Sequence, residues 1–240
     1  MERSVYDNMR AVERTHWWFR GRRAILSSQL ERLRLGPDAR ILEVGCGAGG
    51  NLRMLSAFGR VTGMEPDAPS RAHAEVTSGV PVMAGFLPGP LPDFGGAFDL
   101  IAALDVIEHL KDDQGSVAAL ARLLAPSGKI LATVPAHAWM WSGHDVAHHH
   151  QRRYSKRAFM DLFRQAGLRV ARTSYFNSLL FPPIALVRLA RLGHGGGDDA
   201  VPAGPLNELL TSIFAFERQL LRVCDLPFGV SLLVVAEKPG

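Results

Sequence analysis

The feature that most constrains the fold is a glycine cluster between a short apolar run and a helical pattern. Residues 40–44 form an apolar run of strand length, and Gly45-Cys46-Gly47-Ala48-Gly49-Gly50 follows at once. Residues 51–58 then have the spacing of a helix. Glycine lets the chain turn sharply and lets a ligand approach the backbone without a Cβ in the way. The sequence therefore predicts a strand–turn–helix unit with a ligand at the turn.

Short apolar runs and helical patterns continue to alternate along the chain, which is typical of a doubly wound α/β fold. We predict helices at 15–33, 67–77 and 116–124, and a further helix capped by Ser155 and ended by Gly167. The alternation predicts a mostly parallel, seven-stranded sheet. Its predicted strands are residues 40–44, 61–64, 80–84, 98–104, 129–134, 168–175 and 230–237.

The segment before the last strand departs from this alternation. Residues 177–192 are mostly apolar with a break at Pro182-Pro183, residues 194–205 are rich in Gly, Asp and Pro, and residues 206–222 have the pattern of an amphipathic helix. We interpret the segment as a helical insertion. Two interpretations stay open: it covers a ligand pocket as a movable lid, or its helices pack only on each other and on the sheet. The predicted division is an N-terminal helical segment (1–39), a core (40–176), the insertion (177–222) and the last strand of the core (223–240).

Charge is distributed unevenly along the chain. Residues 41–125 hold five Lys/Arg and ten Asp/Glu, whereas residues 151–195 hold nine Lys/Arg and one acid, Asp161. Two interpretations stay open. The basic stretch is either solvated surface with ordinary ion pairing, or a basic rim that attracts an anionic substrate or a membrane surface.

Composition and cysteine usage predict a cytoplasmic protein. Residues 1–10 are polar and lack the apolar centre of a signal peptide. No run reaches the roughly 18 apolar residues of a membrane span. The two cysteines, Cys46 and Cys224, do not make a disulfide framework, which fits a reducing compartment.

The glycine cluster alone leaves the cofactor open. Gly45, Gly47 and Gly50 satisfy the dinucleotide pattern G-x-G-x-x-G, which is weak by itself. Glu65 lies 22 residues after Glu43 at the end of the second predicted strand, where an acid accepts the ribose hydroxyls of an adenosine. NAD and S-adenosylmethionine (SAM) both carry that ribose.

A second block separates the two cofactors. Phe98-Asp99-Leu100-Ile101 and Asp105-Val106-Ile107-Glu108-His109, together with Glu43-x-Gly45-x-Gly47-x-Gly49, resemble the class I SAM-dependent methyltransferases. The resemblance implies a Rossmann-like methyltransferase fold, SAM as cofactor and S-adenosylhomocysteine (SAH) as product. The family usually has a polar residue where Phe86 stands, and here an aromatic ring would cover the adenine. The cofactor residues implied are Arg22, Glu43, Gly45, Cys46, Gly47, Gly49, Asn51, Glu65, Pro66, Phe86, Leu87, Asp105, Val106 and His109.

The resemblance extends to two further segments. Residues 16–23, His-Trp-Trp-Phe-Arg-Gly-Arg-Arg, and the block from Trp141 to Ser155 are similar to a subgroup of bacterial methyltransferases with an HWWF-type first helix. Members of that subgroup are associated with cell-surface glycan or glycolipid pathways. The resemblance implies a small-molecule, sugar or lipid-linked acceptor.

Histidines after the fifth predicted strand supply candidates for acid–base chemistry. A hydroxyl acceptor must lose its proton, and an imidazole is a suitable base near neutral pH. We predict His144 or His150 as that base and O-methylation over N-methylation. We predict no metal site, because no strict ligand spacing such as H-E-x-x-H is present and cysteine ligands are absent.

Aromatic and basic residues near these loops are candidates for acceptor binding. Trp18, Trp139 and Trp141 could form a dry wall for the sulfonium, and the block Arg152-Arg153-Tyr154 could hold an anionic group. Two alternatives stay open: Trp17 and Trp18 are core residues of the first helix, and the arginines pair with acids of the body.

Two other functions compete with small-molecule methylation. An NAD-dependent oxidoreductase would use the same glycine pattern, and a nucleic-acid methyltransferase would use the basic C-terminal half. The chain has Val134-Pro135-Ala136 in place of the N/D-P-P-Y/F motif used for exocyclic amines, and no recognisable RNA-binding module. We therefore expect no nucleic-acid partner, and we expect a lipid-linked or small acceptor with peripheral contact at the inner membrane surface.

Overall fold

One seven-stranded sheet organises the chain in a computed structural model that describes residues 10–190 and 201–239. All seven predicted strands are present, with some changes in length. They are β1 (Arg40–Val44), β2 (Arg60–Met64), β3 (Val82–Met83), β4 (Phe98–Leu104), β5 (Leu124–Pro135), β6 (Arg169–Phe176) and β7 (Ser231–Glu237).

The strand order is β3-β2-β1-β4-β5-β7-β6. The first five strands pair in parallel, and β7 lies antiparallel between β5 and β6. The order reverses at β1, whose neighbours β2 and β4 leave in opposite directions, so this is the switch point at which open α/β sheets bind ligands. The predicted fold class, a mostly parallel Rossmann-like methyltransferase sheet, is confirmed.

Helices cover both faces of the sheet. They are α1 (Trp17–Leu33), α2 (Leu52–Leu55), α3 (Ala68–Ser78), α4 (Asp113–Leu123), α5 (Gly143–Ala147), α6 (Lys156–Gln165), α7 (Phe181–Ala190) and α8 (Gly204–Val223), with 3₁₀ turns at Ile107–His109 and Ala138–Met140. On one face α4 and α6 bury Val117, Leu120, Phe159 and Phe163. On the other face α1 and α8 bury Ile25, Leu26 and Phe214.

Some predicted boundaries differ from the structure for local reasons. The helix predicted at 51–58 covers only Leu52–Leu55, because the Ser56 hydroxyl donates to the Leu52 carbonyl and the chain turns. The strand predicted at 80–84 pairs only over Val82–Met83, because Pro81 has no N–H to donate at this sheet edge. The loop predicted after the fifth strand contains α5, which a capping box of Ser142 and Asp145 begins.

The insertion has two parts with different packing. Its second helix, α8, lies against α1: the Asn207 amide donates to the Thr15 carbonyl and accepts from the Trp17 N–H, and Phe214 stacks on Phe176 at 6.2 Å between ring centroids. Gly21 permits this approach, because a Cβ there would lie 2.5 Å from Phe214 Cδ1. This half packs into the body of the protein.

The first helix of the insertion, α7, packs less deeply. None of its residues is buried. Pro182 and Pro183 lie in its first turn, where a missing N–H is harmless, so the predicted break is instead a helix start. Of the predicted linker, residues 191–200 lie outside the described residues. The division into four segments stays a prediction.

A membrane crossing was not expected, and none of the helices within residues 10–190 and 201–239 has the length and the apolar run that one requires.

Candidate active site

A cavity of about 700 Å³ opens at the carboxyl ends of β1, β2 and β4. That volume falls in the roughly 300–1,000 Å³ range typical of small-molecule and cofactor sites. The glycine loop after β1 lines one end, and the histidines between β5 and α6 line the other. The α1 and α7 helices close its sides. The site therefore lies at the switch point of the sheet.

The glycine loop is built for close approach. Gly45 has φ +62°, and a Cβ there would lie 2.7 Å from Val106 Cγ2, so the turn itself requires glycine. Gly47 has φ +54°, and a Cβ there would meet no protein atom within 4 Å. Gly47 lines the cavity. Its missing side chain leaves open a cradle in which a ligand can touch the backbone.

Glu65 is the buried acid at the end of β2. Its Oε2 accepts from the Gly47 N–H at 2.9 Å, and its Oε1 accepts from the Asp67 N–H at 3.0 Å. Burial raises the pKa of Glu65, while these two backbone donors favour the carboxylate. Each oxygen keeps a second lone pair, so a carboxylate fixed in this way can also accept two ligand hydroxyls.

Glu43, the acid that begins the glycine motif, lies beneath the loop and does not line the cavity. Its Oε1 accepts from the Asn51 amide at 2.8 Å. Complete burial raises the pKa of Glu43 to about 7, and the Asn51 bond and the Arg22 charge oppose the shift. Asn51 does line the cavity, so Glu43 acts on the site through Asn51.

The buried Arg22 pairs with the partly exposed Asp105 on the wall of the cavity. Arg22 Nη2 lies 2.6 Å from Asp105 Oδ2, and the Thr133 hydroxyl donates to Asp105 Oδ1 at 3.1 Å. Asp105 has φ +57°, an uncommon conformation for a residue with a side chain and one found at functional sites. The Arg22 guanidinium also lies 5.0 Å from the centroid of the Trp18 ring.

Most predicted cofactor residues line this one cavity. Two of the fourteen do not: Glu43, and Gly49, whose missing Cβ accommodates Ala74 of α3. Phe86 is half-exposed at the rim. The residues that line the cavity are Arg22, Gly45, Cys46, Gly47, Asn51, Glu65, Pro66, Phe86, Leu87, Asp105, Val106 and His109.

Four histidines gather at the other end. The His109 and His150 rings lie 4.6 Å apart between centroids, edge to face, and the His144 and His148 rings stack at 4.1 Å. The Gln151 N–H donates to the Glu108 carbonyl at 2.7 Å and so joins the turn after β4 to the segment after α5. Both predicted catalytic residues, His144 and His150, therefore line the cavity.

Asp145 orients one of these rings. His150 Nδ1 lies 2.8 Å from Asp145 Oδ1, and Arg153 binds the same carboxylate through Nε and Nη2 at 2.8 and 3.0 Å. His150 and Arg153 together hold the pKa of Asp145 well below its usual range, although burial opposes them. Burial lowers the pKa of His150, against the pull of Asp145. His150 is thus a fixed imidazole with its Nε2 side unused by Asp145.

The predicted acceptor-binding residues are divided. Trp18 and Arg153 line the cavity, whereas Trp139 and Trp141 do not and are 47% and 40% exposed. Arg152 and the Tyr154 hydroxyl also lie off the cavity, and both bind Asp113. Burial and Asp113 raise the pKa of Tyr154 well above its usual range.

The basic stretch is largely neutralised within the chain. Beyond the pairs of Arg152 and Arg153, four more arginines pair with acids: Arg157 and Arg164 with Asp161, Arg169 with Glu237, and Arg172 with Asp225. Of the two interpretations of this stretch, the structure therefore favours ordinary ion pairing over a basic rim.

Sequence reasoning missed several residues of the site. Glu108 is fully buried beside the histidines, and the side chains Ile184 and Val187 bring α7 to the cavity. Glu108 directly precedes His109 in the block that identified the family, so that block could have indicated it. No local pattern could have placed α7, because its position depends on how the insertion folds back.

The cavity fits the cofactor that the resemblance implies. SAM carries a ribose with two hydroxyls, an amino acid end and a sulfonium. Glu65 offers free lone pairs to the hydroxyls, and the bare face of Gly47 gives the backbone room to approach. Arg22 and the Asp105 carboxylate supply opposite charges for the amino acid end. This donor set suits SAM.

Comparisons with known proteins agree with the geometry. A family described as a methyltransferase domain matches residues 18–173. A protein of Mycolicibacterium smegmatis, named as a probable S-adenosylmethionine-dependent methyltransferase, is 30% identical over 66% of this chain and 62% of its own length. A ubiquinone biosynthesis O-methyltransferase of a Methylobacterium strain is 34% identical over 41% of this chain. The chain spans 62% and 43% of these two relatives.

A solved structure shows the same fold. It belongs to the complex of the Haloferax volcanii Trm112 methyltransferase activator with a methyltransferase, and it covers 99% of this chain and 95% of its own. The TM-score is 0.64 at 18% identity, so this likeness concerns the fold alone.

Proposed function

We propose an acceptor class for this chain, which belongs to the methyltransferase-domain family of class I SAM-dependent methyltransferases. The proposed acceptor is a hydroxylated small molecule, sugar or lipid-linked compound with an apolar portion, and the methyl group goes to oxygen. The NAD-dependent alternative is set aside, because the family uses SAM.

One observation carries the acceptor class. The α7 helix has no buried residue, and yet its Ile184 and Val187 line the same cavity as the histidines. Apolar side chains that the protein does not bury for its own core are available to an apolar ligand. An acceptor that lies against α7 would bring its hydroxyl to the histidine end of the cavity.

The chain's own residues have separate tasks in this reaction. When bound, SAM would supply a methyl group from its sulfonium, and SAH would be the remaining product. Glu65 and the glycine loop hold the ribose. Transfer of the methyl group to an acceptor hydroxyl would release SAH, and His144 or His150 would take the hydroxyl proton. Positioning of this kind contributes much of the rate in such displacements.

Two observations favour oxygen over nitrogen. The histidines at the histidine end of the cavity can accept the proton that a hydroxyl acceptor must lose. An unprotonated amine can attack before it loses a proton, so it has less need of such a base. Relatives of this chain are named ubiquinone biosynthesis O-methyltransferases. A nucleic-acid acceptor is not favoured, because the arginines that would bind phosphates pair within the chain.

The test compares substitutions on α7. Val187→Glu places a charge in the cavity, and we expect it to raise KM for water-soluble acceptors with an apolar tail, assayed without lipid, by roughly 10-fold, in line with about 1.5–3 kcal/mol for burying such a side chain. Affinity for SAH should not change. Leu186→Glu is the matched control, since Leu186 is 68% exposed and does not line the cavity. Equal KM values for the two variants would contradict the proposal.

The outer face of α7 also supports peripheral contact with a membrane. Leu186 and Leu189 are exposed and do not line the cavity. Apolar faces of this kind lie in the interface plane of lipid bilayers. Co-sedimentation with phosphatidylglycerol-containing liposomes should fall in a Leu186→Glu, Leu189→Glu double variant and persist in Val187→Glu. Equal sedimentation of the two would contradict the contact.

A further inference from the structure

We propose that Glu108, His109 and His150 form a binding site for a divalent metal ion at the histidine end of the cavity. Each offers one ligand atom, and these atoms lie within 4.8 Å of one another. Small changes in the three side chains would place each ligand atom at roughly 2.0–2.2 Å from a common ion, the distance at which nitrogen and carboxylate oxygen bind metals such as zinc. All three residues line the cavity.

Hydrogen bonds fix the rings of His109 and His150 in the way that is usual for metal-binding histidines. Ligand imidazoles almost always use their second nitrogen to bind a carboxylate or a backbone carbonyl, which fixes the ring and its tautomer. His150 uses Nδ1 for Asp145, and Asp145 is itself held by Arg153. His109 bonds to the backbone of His148. One ring nitrogen of each histidine is thereby left for the cluster.

Glu108 has a buried carboxylate oxygen without a hydrogen-bond partner in the described ranges. Its side chain is 1% exposed, and its Oε2 has no hydrogen-bond partner among the residues that the structure describes. A buried carboxylate oxygen without a partner is unfavourable unless a cation or a donor neutralises it. A bound metal ion would supply the missing positive charge.

The donor set defines the class of ion. Two imidazole nitrogens and one carboxylate oxygen suit Zn²⁺, Fe²⁺, Co²⁺ and Mn²⁺, whereas Mg²⁺ and Ca²⁺ prefer oxygen ligands alone. Three protein ligands leave coordination positions open. Because the cluster lies on the cavity wall, an open position faces the space where the acceptor would lie.

This placement deepens the proposed function and rests on it. A hydroxyl oxygen on the ion would have a lowered pKa, because a divalent cation stabilises the alkoxide or phenoxide. As a metal ligand, His150 could not also take the proton. Of the two predicted bases, His144 would then be the one that remains. The metal would thus orient the acceptor oxygen as well as activate it.

The sequence predicted no metal here, and the reason is structural. Ligand-spacing rules such as H-E-x-x-H describe residues on one helix. Here Glu108 and His109 follow β4, while His150 follows α5, and a backbone hydrogen bond between the two segments brings them together. A spacing rule cannot find ligands that only the tertiary fold combines.

The experiment measures metal binding directly. The untagged full chain is stripped with a chelator and titrated with Co²⁺, with visible absorption and calorimetry as readouts. We expect one equivalent to bind, with the absorption of a low-coordinate Co²⁺ site that Zn²⁺ displaces. Glu108→Gln, which keeps the shape and removes the charge, and His150→Ala should each weaken binding by at least 10- to 100-fold.

His149→Asn is the matched control. His149 belongs to the same histidine run, is exposed and lies outside the cluster, and asparagine tolerates its positive φ. We expect it to bind Co²⁺ as the unaltered protein does. If the unaltered protein binds no Co²⁺ or Zn²⁺, or if Glu108→Gln binds as tightly as His149→Asn, the metal site is wrong.

A second readout separates this inference from the proposed function. SAH binding, measured on the same samples, should persist in Glu108→Gln, which also shows that the variant is folded. O-methylation at the full rate by stripped protein that binds no Co²⁺ would overturn the metal site and leave the proposed function intact. Tight Co²⁺ binding without methylation of any hydroxylated acceptor would overturn only the proposed function.

Discussion

The two ends of the cavity are built in different ways. At the cofactor end the glycine loop after β1 and Glu65 at the end of β2 face the ligand, and two backbone N–H groups fix the Glu65 carboxylate. At the histidine end the ligand-facing groups come from two loops some forty residues apart, and side chains fix one another: Arg153 holds Asp145, and Asp145 holds His150.

This difference decides how each end responds to substitution. The cofactor end depends on backbone shape, so the loss of one side chain should change affinity while the fold remains. The histidine end depends on neutral imidazoles and buried carboxylates, so a loss there should change the chemistry. Substitutions at the two ends should therefore separate SAH binding from turnover.

The largest effect should follow a change at the histidine end. His144→Asn removes the imidazole proposed to take the acceptor proton, and general-base contributions are about 10²- to 10⁴-fold. We expect kcat to fall by about 100-fold. SAH affinity, measured by calorimetry, should stay within a factor of two or so, since His144 lies away from Glu65. An unchanged kcat would remove His144 from the mechanism.

Beneath the cofactor end, Glu43 should make stability depend on pH. Its pKa is raised to about 7 in the folded chain from an ordinary value near 4.5, so the folded state favours the protonated form. Stability from this group is complete below about pH 4.5 and is lost as the pH rises through about 7.

Replacement of the Glu43 carboxyl group should therefore raise the free energy of unfolding at high pH. In cofactor-free protein at pH 8, Glu43→Gln should be more stable than the unaltered chain by up to roughly 3 kcal/mol, and the gain should fall to about a quarter of that at pH 5. Urea denaturation at both pH values measures this. A gain that is equal at pH 5 and pH 8 would show that Glu43 ionisation is not the cause.

At the cofactor end itself, Glu65→Ala should weaken SAH binding by roughly 10- to 100-fold, since hydrogen bonds to a charged group contribute about 1.5–3 kcal/mol each. Asp67→Asn is the matched control, because asparagine also caps α3 and residue 67 does not line the cavity. Calorimetry that finds the same affinity in both variants would remove Glu65 from the cofactor site.

The smallest expected effect is at Gly47, where alanine would both strain the backbone and occupy space that the ligand needs. Gly47 and Gly79 both have positive φ, and a Cβ would meet no protein atom at either. Alanine at either position should therefore cost a similar 1–2 kcal/mol or so of stability. Only Gly47→Ala should also lower SAH affinity, by roughly 10-fold, because only Gly47 faces the cavity. Equal SAH affinity in both variants would contradict the cradle.

The sequence predicted the cofactor end well because its signals are local. The glycine turn, the acid at the end of β2 and the turn after β4 each follow a strand, and the carboxyl ends of parallel strands meet at one edge of a sheet. The predicted fold class and family are confirmed on that basis. The predicted ends of α2 and β3 were less accurate, because one local feature decides each. The Ser56 hydroxyl bonds to the backbone at the end of α2, and Pro81 has no N–H to donate before β3.

The histidine end was only partly predictable, because its partners are distant in sequence. His144 and His150 were identified as candidates. Glu108 was not, although it lies in the block that identified the family, because only the fold shows that it reaches His150. Arg152 and Tyr154 matched a family pattern but bind Asp113, which no spacing indicates. The packing of α8 on α1 likewise depends on a contact between residues almost two hundred positions apart.

The most direct test of the account is a crystal structure of the protein with SAH. We predict the ribose hydroxyls on the Glu65 carboxylate, the homocysteine portion beside Arg22 and Asp105, and the sulfur directed toward His109 and His150. SAH bound with its sulfur away from these histidines, or bound outside the cavity, would contradict the claim that the two ends serve one reaction.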